Sequence, residues 1–170
     1  MQKREINASL RERLGANGFA KDGRVWCRDT DDLFWRVDFE SLPHWRRVEV
    51  GVGCTPRALA GGDAPSRTND CLTRHGLHAL PLQIPLPSGV AEGSPSFSEV
   101  VRLALNIDSA MSDEDRVVVI ESAIDALSDF LGGLSSESDL DRWIREGQAD
   151  RRGFVHRAVM QHFGIPLDED

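Results

Sequence analysis

The chain has 170 residues, of which 28% are charged and 40% hydrophobic, and its formal net charge is -8 at pH 7. These proportions exclude a low-complexity or disordered chain, and the acidic balance argues against nucleic-acid binding, which needs Lys or Arg at the phosphates. One domain spanning 1–170 can bury roughly two thirds of the surface its unfolded form exposes, so no disulfide or metal is required to hold it.

In chain order, residues 2–16 read as a helix, because Ile6, Leu10 and Leu14 recur every four residues and Gly15, Asn17 and Gly18 can end it. Arg24 to Asp29 is a first strand, and Asp29-Thr30-Asp31-Asp32 is a turn. Leu33, Trp35, Val37 and Phe39 alternate with Phe34, Arg36, Asp38 and Glu40, which predicts a second strand with one apolar face. Val48, Val50 and Val52 predict a third, and short connections make the set an antiparallel meander of three or four strands. Residues 55–70, rich in Gly, Pro, Ser and Asp, read as an exposed loop. The alternation of Leu80, Leu82, Ile84 and Leu86 with Pro81, Gln83, Pro85 and Pro87 gives an edge strand or an extended polyproline-like segment, since proline removes donors.

The C-terminal half reads as helical. Phe97 to Asn106 is a short helix, and Ser112 with Asp115 opens a longer one on which Val117, Ile120, Ile124, Leu127 and Leu131 repeat at three and four. Gly132-Gly133 ends it. A further helix carries Leu140, Trp143 and Ile144, and a last one carries Phe154, Val155, Ala158, Val159 and Phe163 and stops at Gly164. The expected fold is α+β, an antiparallel meander with an N-terminal helix and three to four C-terminal helices packed on one face.

Gly-Phe-x-Lys-x-Gly-Arg-x-Trp at Gly18 to Trp26, Val-x-Val-Gly-Val at Val48 to Val52, and Phe-Gly-Ile at Phe163 to Ile165 make the chain resemble a bacterial family, domain of unknown function 4304. Cys71, Arg74 and the stretch from Trp143 to Gly164 extend the similarity, whereas residues 79–87 are proline-rich where family members carry an aromatic-rich segment. The resemblance implies a compact mixed fold with no established activity. By association with secreted bacterial toxins, it also implies an immunity or interaction role.

The longest purely aliphatic run, Val117 to Ile120, is far short of a membrane span, and Met-Gln-Lys-Arg-Glu at the start has no apolar segment behind it, so a cytoplasmic location without membrane contact is expected. Cys27, Cys54 and Cys71 are an odd number in unrelated contexts and are expected to be reduced.

Chemical motifs are few. Cys71, His75 and His78 have the spacing of part of a zinc site, but no second Cys or His cluster completes one, so no metal is assigned. Cys27, Cys54 or a serine with His44, His75, His156 or His162 would be the nucleophile and base of a hydrolase, yet cysteines within strands read as small buried residues, and no Gly-x-Ser-x-Gly elbow is present. Gly51-x-Gly53 lacks the Lys and helix of a phosphate loop. The carboxylate clusters at Asp29, Asp31 and Asp32 and at Asp113, Glu114 and Asp115 fit turns and helix starts. The doublets Arg46-Arg47 and Arg151-Arg152 read as solvated or internally paired. No catalytic residue and no cofactor is assigned.

Charge distribution gives the leading candidate. Residues 108–141 contain ten Asp or Glu against the single Arg116, leaving the rest of the chain near neutral. Glu114, Glu121, Asp125 and Asp129 fall on a face of the long helix away from its apolar stripe and would dock a basic protein partner. The leading expectation is therefore a non-catalytic binding protein, in the manner of an immunity protein that neutralises a cationic toxin. The alternative is a small enzyme or ligand-binding protein with a pocket between sheet and helices near Trp35, His44 and Trp45.

Overall fold

The computed structural model describes residues 1–42, 44, 46–84, 96–147 and 153–167. Ile6, Leu10 and Leu14 are fully buried on one side of helix α1 (Lys3–Ala16), as their spacing requires. Asn17 follows as its cap, and Gly18 turns the chain with a φ of 77°, a left-handed conformation that glycine adopts without steric cost.

Six antiparallel strands then form one sheet in the order β1 (Ala20–Asp22), β2 (Val25–Asp29), β3 (Leu33–Leu42), β4 (Arg47–Pro56), β5 (Thr73–Gly76) and β6 (Gly153–Val155). The fold is α+β, with six strands where three or four were expected. The additional strands are only three or four residues long, too short to display an alternation. Phe154 and Val155, assigned to the last helix by their spacing from Ala158 and Val159, are strand residues. The helix starts after them because the His156 side chain caps it, accepting from Ala158 N at 3.1 Å.

The register sorts residues into two faces. Trp26, Val37, Val52 and His75 lie in one row across the sheet, and Trp35, Cys54, Thr73 and Val155 lie in the next, all on the face toward the core. That face is covered by helices. α1 and α2 (Phe97–Leu105) contact β4, and α3 (Asp113–Gly132) packs against both helices. Trp35 Nε1 donates to Leu134 O at 3.2 Å, just beyond the end of α3. From α4 (Glu137–Arg145), Trp143 sets its ring edge-on to His75, with centroids 5.1 Å apart. α5 (Arg157–His162) closes the described chain and buries Val159.

The opposite face is covered in part by the segment 57–72, which is not simply an exposed loop. Thr68 and Cys71 are buried. Asp38 accepts from Thr68 N at 3.2 Å and from Thr68 Oγ1 at 2.8 Å, while buried Arg36 donates to Pro65 O at 2.8 Å and to Asp29 Oδ1 at 2.5 Å. The segment approaches so closely because β4 offers glycine there: a Cβ on Gly53 would lie 2.7 Å from Cys71 Cβ. Residues 81–84 do not join the sheet: Leu82 N donates to Leu80 O at 2.8 Å in a tight turn at Pro81, Leu80 and Leu82 are buried while Pro81 and Gln83 face out, and Pro85 to Pro87 lie outside the described residues.

Candidate functional site

Helix α3 is built on two opposed faces. Arg116, Val119, Ile120, Ala123, Ile124, Leu127 and Leu131 are buried, and its start is fixed by Ser112, whose hydroxyl accepts from Asp115 N at 3.1 Å. At roughly 100° per residue, Glu114, Val118, Glu121, Asp125 and Asp129 fall on the side opposite that core stripe. Glu114 and Asp129 are exposed, Glu121 and Asp125 are half-buried, and Val118 is 50% exposed between the first two carboxylates.

The four predicted carboxylates are not equivalent. Asp125 is held by α1: Arg13 Nε donates to its Oδ1 at 2.6 Å, Arg13 Nη2 reaches Oδ2, and Asn17 Nδ2 donates to Oδ1 at 2.8 Å. The Arg13 hydrogen bonds hold the Asp125 carboxyl below the usual carboxylate range. Among the described residues, Glu114, Glu121 and Asp129 have no ion-pair partner. Five of their six acidic neighbours do: Asp108 pairs with Arg46, Asp113 with the amino group of Met1, Asp139 with Arg142 and Asp141 with Arg145, while Glu137 meets His162 Nε2 at 2.8 Å; Asp115 instead accepts from Ser112 Oγ at 2.7 Å.

Arg116, the single cation of the acidic stretch, is absent from this surface. It is 1% exposed, and its Nη1 donates to the carbonyls of Ala104 at 2.7 Å and Asn106 at 2.6 Å at the C-terminal end of α2. Its charge therefore faces the negative end of a helix dipole inside the protein. A sequence count treats Arg116 as a surface countercharge; its position on the apolar stripe of α3 was the signal that it is buried.

The proposed pocket residues are not gathered around one cavity. Trp35 is 2% exposed within the core, near the β2–β3 turn. His44 is exposed between β3 and β4, at the other end of β3, and Trp45 lies outside the described residues. A cleft of about 420 Å³ does lie between sheet and helix, lined by Arg47, Val48 and Glu49 of β4, His78, and Glu99, Arg102 and Leu103 of α2.

The cysteines and histidines are dispersed. Burial pushes the Cys71 thiol up to about 12 and raises that of Cys54 as well, which disfavours the thiolate a nucleophile needs. His75 is 7% exposed, and burial lowers its pKa to about 4, so at neutral pH it is an uncharged ring against Trp143. Among the described residues no group of three His, Cys, Asp or Glu is placed to hold a metal ion, and no helix is long and apolar enough to cross a membrane. The Arg151-Arg152 doublet lies outside the described residues, and Arg46 and Arg47 pair with Asp108 and Glu49.

Comparison with known proteins gives no match to this chain, whether to a family model, a curated protein or a solved structure.

Proposed function

We propose that this protein is a non-catalytic binding module that docks a basic protein partner on the solvent face of α3, in the way an immunity protein would neutralise a cationic toxin. The observation that carries this reading is the burial of Arg116, with Glu114, Glu121 and Asp129 left without an ion-pair partner among the described residues; Arg13, whose field also reaches Glu121, is committed to Asp125. Val118, exposed among these carboxylates, supplies an apolar contact that a partner could desolvate. Complementary charge of this kind raises association rates and weakens with salt.

The test uses the full chain and a Glu121→Lys/Asp129→Lys variant as paired baits in extracts of the source cells, at low and high salt. A basic protein held by the original chain, released by salt and lost from the variant supports the reading. A partner held equally by both baits, or the lack of any salt-sensitive basic protein, rejects it. A second reading, a protein that takes a small ligand, is favoured by the cleft between β4 and α2, which is within the size range of small-molecule sites.

A further inference from the structure

The outer face of the sheet carries a feature independent of the acidic helix. Above the β4–β5 pair lies a recess of about 340 Å³, bounded by Thr68, Asn69, Arg74, His78 and Phe154. Gly51 and Gly76 are paired beneath it and contribute no side chains. The walls close in over them: a Cβ on Gly76 would lie 2.6 Å from the His78 ring, and one on Gly51 would lie 3.0 Å from Thr68 Oγ1.

Arg74 is oriented but incompletely bonded. Its guanidinium carbon sits 4.3 Å from the centroid of the Phe154 ring, a stacking contact that restrains the plane of the group. Nη1 donates to Asn69 O at 3.3 Å, and among the described residues the buried Nε has no hydrogen-bond partner and Nη2 makes no hydrogen bond. Among the described residues no carboxylate pairs with Arg74, whereas Arg13, Arg36, Arg46, Arg47, Arg142 and Arg145 each have one. The carboxylates at the recess are already engaged: Glu49, on its wall, pairs with Arg47, and Asp38, whose Oδ1 would lie 2.9 Å from a Cβ on Gly51, accepts both bonds from Thr68.

We propose that this recess binds a compact ligand bearing one oxyanion, a carboxylate or a phosphate monoester, on the Arg74 guanidinium, with the Asn69 side-chain amide as a second donor. A planar, pre-oriented guanidinium with open N–H groups matches such an oxyanion geometrically. The net charge of -8 and Glu49 at the rim disfavour an extended polyanion, so the ligand is small. The site does not depend on the acidic face of α3, and either can fail without the other.

The experiment follows the Arg74 Nε–H and Asn69 side-chain amide resonances of the ¹⁵N-labelled protein during separate titrations with inorganic phosphate and with acetate. A saturable shift of both groups with at least one probe is expected, and the probe that saturates at the lower concentration identifies the oxyanion. Arg74→Gln should weaken that binding about tenfold or more, equivalent to about 1.4 kcal/mol, while Arg46→Gln should leave it unchanged. Shifts that rise without saturation for both probes, or undiminished binding by a folded Arg74→Gln variant, would overturn the proposal. If that variant does not fold, the titration of the original chain decides alone.

Discussion

Arg13 and Asp125, 112 positions apart in sequence, join α1 to the outer edge of α3 through a two-pronged contact, with Nε to Oδ1 at 2.6 Å. The amino group of Met1 meets Asp113 across the same interval of 112 residues, so the two helices run parallel, with α1 tied to α3 near both of its own ends. The pairing divides the acidic face into a carboxylate that holds the fold and carboxylates that remain open.

Asp125→Asn is accordingly expected to act on stability. Both side chains are more than a third exposed, so the loss at neutral pH should be modest, about 0.5–1 kcal/mol. Because the folded state lowers the Asp125 pKa, its contribution is present above the ordinary carboxylate range and disappears as pH falls through the folded value. Urea unfolding should show a difference between variant and original chain at neutral pH that vanishes once the pH is well below the ordinary carboxylate range. A difference that persists there would show that the contact does not act through the ionised carboxyl.

Arg116 should be far less tolerant. Replacing it with Leu removes the donors to Leu103, Ala104, Asn106 and Met111 carbonyls and leaves them buried, at an expected cost of roughly 3 kcal/mol. Arg116→Lys should recover only part of this, because an ammonium group cannot reproduce the fork. Chemical denaturation of the three proteins checks the order.

Gly53→Ala tests the close approach of segment 57–72. The new methyl group would lie 2.7 Å from Cys71 Cβ and 3.1 Å from Thr68 O, so the segment must lift, at roughly 1–3 kcal/mol. Gly61→Ala supplies a contrast: nothing lies within 4 Å there, and any cost comes from its φ of 64°. The expected readout is faster alkylation of Cys71 in Gly53→Ala but not in Gly61→Ala.

His75 predicts a pH dependence of its own. Its folded pKa of about 4 lies below the ordinary 6.5, so the unfolded chain takes up a proton first and stability falls as pH drops between those values. The loss is at most roughly 3 kcal/mol. His75→Phe keeps a ring against Trp143 and should flatten this part of the curve of unfolding free energy against pH. An unchanged slope would assign the dependence to other groups.

The sequence made β3 and β4 legible because each shows several repeats of period-two alternation, and α3 legible because apolar residues recur at three and four from Val117 to Leu131, although the structure buries Arg116 and Val119 in that stripe and leaves Val117 half-buried. Thr73-Arg74-His75-Gly76 gave no such pattern, and its Cys and His neighbours drew attention to metal spacing instead of strand pairing. At Phe154 and Val155, helical spacing to Ala158 and Val159 outweighed a cap that only the folded chain reveals. Composition marked 55–70 as loop but could not show that Gly51 and Gly53 make room for it on the sheet. In the acidic face the residues were identifiable, while the neutralisation of Asp125 and the withdrawal of Arg116 arise from contacts distant in sequence.

The strand order has a consequence for how the molecule assembles. β2 to β5 each pair with their predecessor in the chain, so most of the sheet can grow by local steps. β6 differs, because α2, α3 and α4 all intervene between Gly76 and Gly153. Closing so long a loop before any contact rewards it is entropically unfavourable. The last strand is therefore expected to dock late, bringing Phe154 to Arg74 only once the helices are in place, and hydrogen exchange at Phe154 should be faster than at Val37 or Val52. The sheet is a hairpin stack with one long-range clasp, and the clasp is the part expected to open first.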